Sequence, residues 1–201
     1  MVWPATDRYG LSPAPGGLGF VQDVVNTHAT QRPAVADLLA DVDGAQRWLD
    51  GALQKWSHES GVPQTSVLLT EDDLDKLRGL RADVTGLLRS ADQAQQATPS
   101  ASVSARIGPD GKALLEPRGV RSRRVSAIVL IEIFTAQHLD TWRRLKICRN
   151  ELCSVAFYDR SRNNSGVYHD SRVCGNAIYL RASRARKRQG AFDIPASSAS
   201  G

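Results

Sequence analysis

Cys148, Cys153, His169 and Cys174 are the residues whose type and spacing could do chemistry. They stand as C-x4-C, fifteen intervening residues, then H-x4-C, and they include all three cysteines of the 201-residue chain. Zinc takes four N or S donors at tetrahedral corners and favours thiolates where it only holds structure. A four-residue gap lets one turn bring two donors to a metal, and the longer interval lets a hairpin close the cage. Four protein donors fill the coordination sphere and leave no place for a reactive water, so the set reads as structural Zn2+. Two other readings compete: three small buried apolar thiols beside an exposed histidine, or a disulfide that leaves one cysteine over and needs an oxidising compartment. His138 and His58 are alternative nitrogen donors; His169 is preferred on spacing.

The segment that carries these residues is also the basic part of the chain. The net charge is +5, but residues 1–139 hold fourteen Lys and Arg against sixteen Asp and Glu, and residues 140–201 hold twelve against five. Charge concentrated in one module argues for an anion-binding surface. After Cys174, residues 176–189 have helical content, and Arg181, Arg184 and Arg188 fall at i, i+3 and i+7 on one face, widened by Arg186 and Lys187. A helix fixed at its start by a metal ligand could lie in a DNA groove or along the backbone, and guanidinium forks suit phosphate oxygens and guanine edges. Arg160 and Arg162, between the ligand pairs, either bind phosphate from a loop or hold the turns of the module. Asp159 beside them reads as structural, because a carboxylate facing phosphate would repel it.

No Gly-rich phosphate loop, nucleophile motif or paired carboxylates accompany the basic site, so a binding protein is expected and not an enzyme. Residues 1–8 lack a basic n-region with an apolar run behind it, and the most apolar stretch, residues 127–134, is interrupted by Glu132 and too short for a bilayer. The expectation is a cytoplasmic protein with reduced thiols and no membrane partner.

The elements that must position the site are mostly helical. Residues 1–19, rich in Pro and Gly, are expected as an extended or turning arm. Phe20, Val21, Val24, Val25 and Ala29 recur at helical spacing, and Trp48, Leu49, Ala52, Leu53 and Trp56 form a stripe on a helix that Asp43 could cap. Thr70 and Asp73 resemble a capping box ahead of Leu74, Leu77, Leu80, Val84, Leu87 and Leu88. Alternation in residues 103–107, a Gly-Pro-Asp-Gly turn and an apolar run at 113–115 predict a β-hairpin. A long helix from Arg121 to about Trp142, apolar nearly all round, is expected at the centre of the core. The last twelve residues, small and polar, read as a disordered tail.

Cys148-Arg149-Asn150-Glu151-Leu152-Cys153, Phe157-Tyr158-Asp159-Arg160-Ser161-Arg162-Asn163 and Cys174-Gly175-Asn176 resemble the CGNR zinc finger over about forty residues. Val24-Val25-Asn26-Thr27 resembles the weak signature of the ABATE domain that precedes such fingers in bacterial proteins. The chain departs from the finger's pattern twice: Tyr168-His169 stands where the family has Trp-Cys, and Ala177 stands where it has the Arg of its name. Imidazole replaces thiolate readily at zinc, so the first change preserves the cage; the second removes whatever contact that arginine makes. The resemblance implies a mainly α N-terminal domain with a β-hairpin (1–143, hairpin near 101–116), a small zinc-stabilised α+β finger (144–189) and a tail (190–201). It further implies a DNA-binding stress-response regulator, with an N-terminal domain that senses a small-molecule effector or mediates oligomer assembly. The alternatives are an RNA-binding finger, whose charge stripe would suit A-form phosphates, and a protein-interaction module. A finger of this kind is expected to unfold without metal while the helices of residues 20–90 stay cooperative.

Overall fold

A computed structural model describes residues 1–31, 33–63, 65–89, 99–181 and 184. The described residues are mainly helical, with three two-stranded antiparallel sheets. The chain opens not on an arm but on α1 (Pro4–Asp7), a single turn started by Pro4, whose fixed φ suits the first helical position. Trp3 is buried edge-on against Phe20, at 6.1 Å between ring centroids. Gly19 permits this approach, since a Cβ there would meet the indole Nε1 at 2.4 Å.

α2 (Leu18–Val25) is the central helix, buried along all eight residues, including Gln22 and Asp23. It packs against α1, α3 (Val42–Ser60), α4 (Glu71–Arg89) and α5 (Ser122–His138). α5 shares the core with it, buried along most of residues 125–133, and exposes Phe134 to solvent. The polar residues of α2 read as surface but are satisfied inside: Asp23 accepts from Thr6 N at 2.7 Å and from Trp48 Nε1 at 2.8 Å. Burial pushes the Asp23 carboxyl up, and the Trp48 and Thr6 bonds oppose that push.

α3 carries the expected stripe, with Ala45, Trp48, Leu49, Ala52, Leu53 and Trp56 buried. Its cap is Asp41, not Asp43: Asp41 accepts from Gly44 N at 2.7 Å, and Asp43 lies within the first turn. Gly61, at φ 70°, closes the helix in the left-handed conformation that costs glycine little. In the first turn of α4, Asp73 reaches back to accept from the amide and hydroxyl of Thr70. Its second oxygen accepts from Ser122, which ties the start of α5 to the start of α4. The short pair β1 (Thr30–Gln31) and β2 (Ala34–Val35) and the hairpin β3 (Val103–Ile107) and β4 (Ala113–Pro117) flank these helices. β4 rests on α5.

Packing does not stop after residue 143. The hairpin β5 (Leu145–Ile147) and β6 (Ala156–Tyr158) places Leu145 and Ala156 in the same buried cluster as Phe20, Leu49 and Ile128. Asn26, just past the end of α2, accepts from Ala156 N at 2.8 Å and donates to Ala156 O at 3.0 Å. Gln22 Nε2 also reaches that carbonyl, at 3.2 Å. A second cluster, Cys148, Cys153, Val155, Phe157 and Cys174, takes Phe157 from β6 and continues past the hairpin, with Tyr9, Leu11 and Tyr168 against it.

Candidate metal centre and basic surface

The four residues singled out by spacing converge. One potential ligand atom from each of Cys148, Cys153, His169 and Cys174 lies within 4.8 Å of all the others, and the three cysteines are buried. Tetrahedral zinc with Zn–S near 2.3 Å and Zn–N near 2.0 Å sets its donors about 3.6–3.8 Å apart. His169 Nδ1 is the nitrogen that faces the sulfurs, 3.3 Å from Cys153 Sγ and 3.6 Å from Cys174 Sγ. Neither His138 nor His58 belongs to the cluster. Residues 144–187 match the CGNR zinc finger. No curated protein matches the sequence. The match and the Cys/His cluster together support a zinc-binding module.

Each turn of the finger is built around one Asx residue. In the first, Cys153 N and Ser154 N both donate to Asn150 O, at 2.8 and 2.9 Å, and Ser154 takes the left-handed conformation at φ 53°. Asn150 is buried and its Nδ2 donates to Cys174 Sγ at 3.3 Å, a bond that favours thiolate and links the two ligand pairs. In the second, Asp170 accepts from Arg172 N and Val173 N, at 2.7 and 3.1 Å, and its carbonyl takes Cys174 N. This turns residues Ser171–Gly175 into one wide π-type turn that carries Cys174 inward. Spacing and charge alone assign no role to Asn150 or Asp170. An Asx residue within two positions of a ligand is the signal that points to them, since such side chains accept from backbone amides two residues on, as Asn150 does from Leu152 N and Asp170 from Arg172 N.

The thiols influence one another. A hydrogen bond from Cys153, helped by His169 and the Asn150 amide, outweighs burial and holds the Cys148 thiol down at about 4. Cys153, the donor of that bond, is pushed up, and burial pushes Cys174 up. A divalent cation deprotonates its thiol ligands outright and would bring all three to the charged form. The donor set fits zinc, which would be held by Cys148, Cys153, Cys174 and His169 and would supply a covalent-like crosslink without an open coordination position.

Asp159 organises the loop between the ligand pairs. Its carboxylate takes Lys146 Nζ at 2.7 Å, Ser161 N at 2.9 Å and Gly166 N at 2.7 Å. Desolvation pushes this carboxyl up, but the Lys146 bond and the amides outweigh it and hold it well below the usual carboxylate range. A depressed folded value means that the carboxylate's contribution is complete above the unfolded value near 4 and is lost as pH falls toward the folded one. Asp159→Asn is accordingly expected to cost about 1–3 kcal/mol at pH 7 and to shrink the difference from wild type as pH drops below about 4. Urea titrations of both proteins across pH 3–7 measure this, and parallel acid limbs would sink it. Taking the difference separates the carboxylate from metal release.

The arginines divide. Arg160 donates to Pro13 O at 2.9 Å and lies over the Tyr158 ring, 5.6 Å from its centroid, so it ties the loop to the N-terminal segment. Arg144 similarly donates to Asp159 O and Ser161 O. Arg162, Arg181 and Arg184 are exposed, and none bonds another side chain among the described residues. Residues 176–181 and 184 are helical, as expected after Cys174. Arg186, Lys187 and Arg188 lie outside the described residues, as does the segment 190–201. No helix among the described residues is long and apolar enough to cross a membrane.

Proposed function

We propose that this chain is a cytoplasmic, non-enzymatic DNA-binding regulator whose zinc-stabilised finger meets the phosphate backbone. Its N-terminal domain would sense a small effector or mediate assembly. The observation that carries the reading is how the finger disposes of its charges. Asp159 is buried against Lys146, Asp170 caps a turn and Asp140 pairs with Arg143 at 2.7 Å. Arg149, Arg162, Arg172, Arg181 and Arg184 face solvent. Of the acids in this segment Asp159 is buried, Asp170 is partly buried and Asp140 and Glu151 are exposed, so the five outward guanidinium groups outnumber the exposed carboxylates and leave a net positive surface suited to a polyanion. By sequence, Arg186, Lys187 and Arg188 extend it.

The test is binding of random-sequence duplex DNA, single-stranded RNA and heparin by fluorescence anisotropy, each across a salt titration. Arg181→Ala with Arg184→Ala is expected to weaken DNA binding and flatten the log–log salt slope by about 0.9 for each phosphate no longer neutralised. Zinc content and helicity should not change. Tighter binding to RNA than to duplex would favour the RNA-binding alternative. Unchanged affinity for both nucleic acids would overturn this surface and leave the protein-interaction reading.

A further inference from the structure

A cleft of about 660 Å3 opens between α3, β4 and α5, on the helical part of the molecule. Its walls are apolar: Trp56 from α3, Leu114 and Leu115 from β4, Ile131 and Phe134 from α5. Phe134 and the nearby Leu139 are 61% and 64% exposed at its rim. At its inner end stands Glu132, only 7% exposed. Glu132 Oε1 accepts from Trp56 Nε1 at 2.7 Å, and no cation pairs with this carboxylate among the described residues. The opposing wall is backbone, because Gly17 lies so close that a Cβ there would fall 2.0 Å from the carboxylate carbon.

Two other ionisable groups line the cleft. Glu59 is paired with Lys55 at 2.5 Å, and His138 lies near the rim. Glu132 is therefore a buried carboxylate with one side-chain donor and no cationic side chain, set against Gly17 at the N-terminal cap of α2, an end that favours negative charge; burial pushes it up, against the opposing Trp56 bond. Burying a carboxylate without a counter-charge is costly, and a structural acceptor for one indole N–H could have been a neutral Gln. A pocket of a few hundred Å3, mostly apolar with a single well-placed polar group, has the usual form of a small-molecule site.

We propose that this cleft binds a small organic cation with an apolar body, its ammonium seated on Glu132 and its body between Trp56, Leu114 and Phe134. The binding site stands on its own geometry. Only its use as the effector site rests on the regulator reading above, so the test reads ligand binding and not DNA.

Isothermal titration calorimetry of the zinc-loaded full chain with phenethylammonium, and with 2-phenylethanol and phenylacetate as the neutral and anionic counterparts, decides it. The cation should bind at least tenfold more tightly than either. Glu132→Gln keeps an acceptor for Trp56 and should lower affinity for the cation at least tenfold while leaving the alcohol unchanged. Phe134→Ala, at an exposed position that should not disturb folding, should weaken cation and alcohol alike. No measurable cation binding at millimolar concentration, equal binding of cation and alcohol, or an unaltered preference in Glu132→Gln would each overturn the proposal. A failure of the arginine variants to alter DNA binding would bear on the regulator reading alone.

Discussion

Stripping the metal is expected to lower the melting temperature of the entire chain by about 10–20 °C while leaving one transition. Structural zinc supplies on the order of 10 kcal/mol in isolated fingers. Here part of the finger keeps other support, because Leu145 and Ala156 are packed in the helical core. If about half of that free energy is lost to folding, a domain of this size melts lower by about 2–4 °C per kcal/mol. The shared core also predicts that the helices do not survive as a separately cooperative unit, contrary to the expectation from ligand spacing alone. Calorimetry with and without a strong chelator, together with elemental analysis expecting one zinc per chain, provides the measurement. Two resolved transitions, or a protein that purifies without metal and melts unchanged, would refute the argument. His169→Cys should retain zinc, and His169→Ala should lose it at far lower chelator concentration.

The second large effect is expected at Asn26. Asn26→Ala removes the acceptor for Ala156 N, removes one of two donors to Ala156 O, and takes the amide donor from Thr6 Oγ1. Each buried group left without a partner costs about 1–3 kcal/mol, so a loss of about 3–5 kcal/mol follows once the small cavity is included. Asn26→Asp should be no better, since it aims a buried carboxylate at the Ala156 carbonyl. Urea unfolding of the zinc-loaded variants measures the loss. Because Asn26 joins α2 to the finger, zinc should also be withdrawn by chelator at lower concentration than from wild type. A cost below about 1 kcal/mol with unchanged zinc retention would mean that the joint is held by the apolar contacts alone.

What could be read from the sequence is what is written locally. The Cys/His cluster was legible because its residues pair within one turn each, and the α3 stripe and the β3–β4 hairpin because their periods are short and unbroken. The centrality of α2 was hidden, since Gln22, Asp23 and Asn26 look like surface residues until Ala14, Thr6, Trp48 and Ala156 are seen to satisfy them. The N-terminal turn was hidden for the same reason: Asp23, far along the chain, holds the Thr6 amide that makes Pro4–Asp7 helical. Arg160 could not be separated from Arg162 by sequence. Only the placement of Pro13 and Tyr158 distinguishes the anchored guanidinium from the exposed one.

The amide of Asn26 does for β6 what a third strand would do. In pairing with both the N–H and the carbonyl of Ala156, it closes the outer edge of a hairpin that otherwise ends in open hydrogen-bonding groups. Val155-Ala156-Phe157-Tyr158 is an apolar, uncharged stretch, the kind of segment that templates association when its edge is bare. Freed from α2, it would offer that edge to the same segment of a neighbouring chain. Aggregation, more than simple unfolding, is therefore the failure to be expected of concentrated metal-free or Asn26-substituted protein, and the side chain that caps the end of α2 is the barrier against it in the native state.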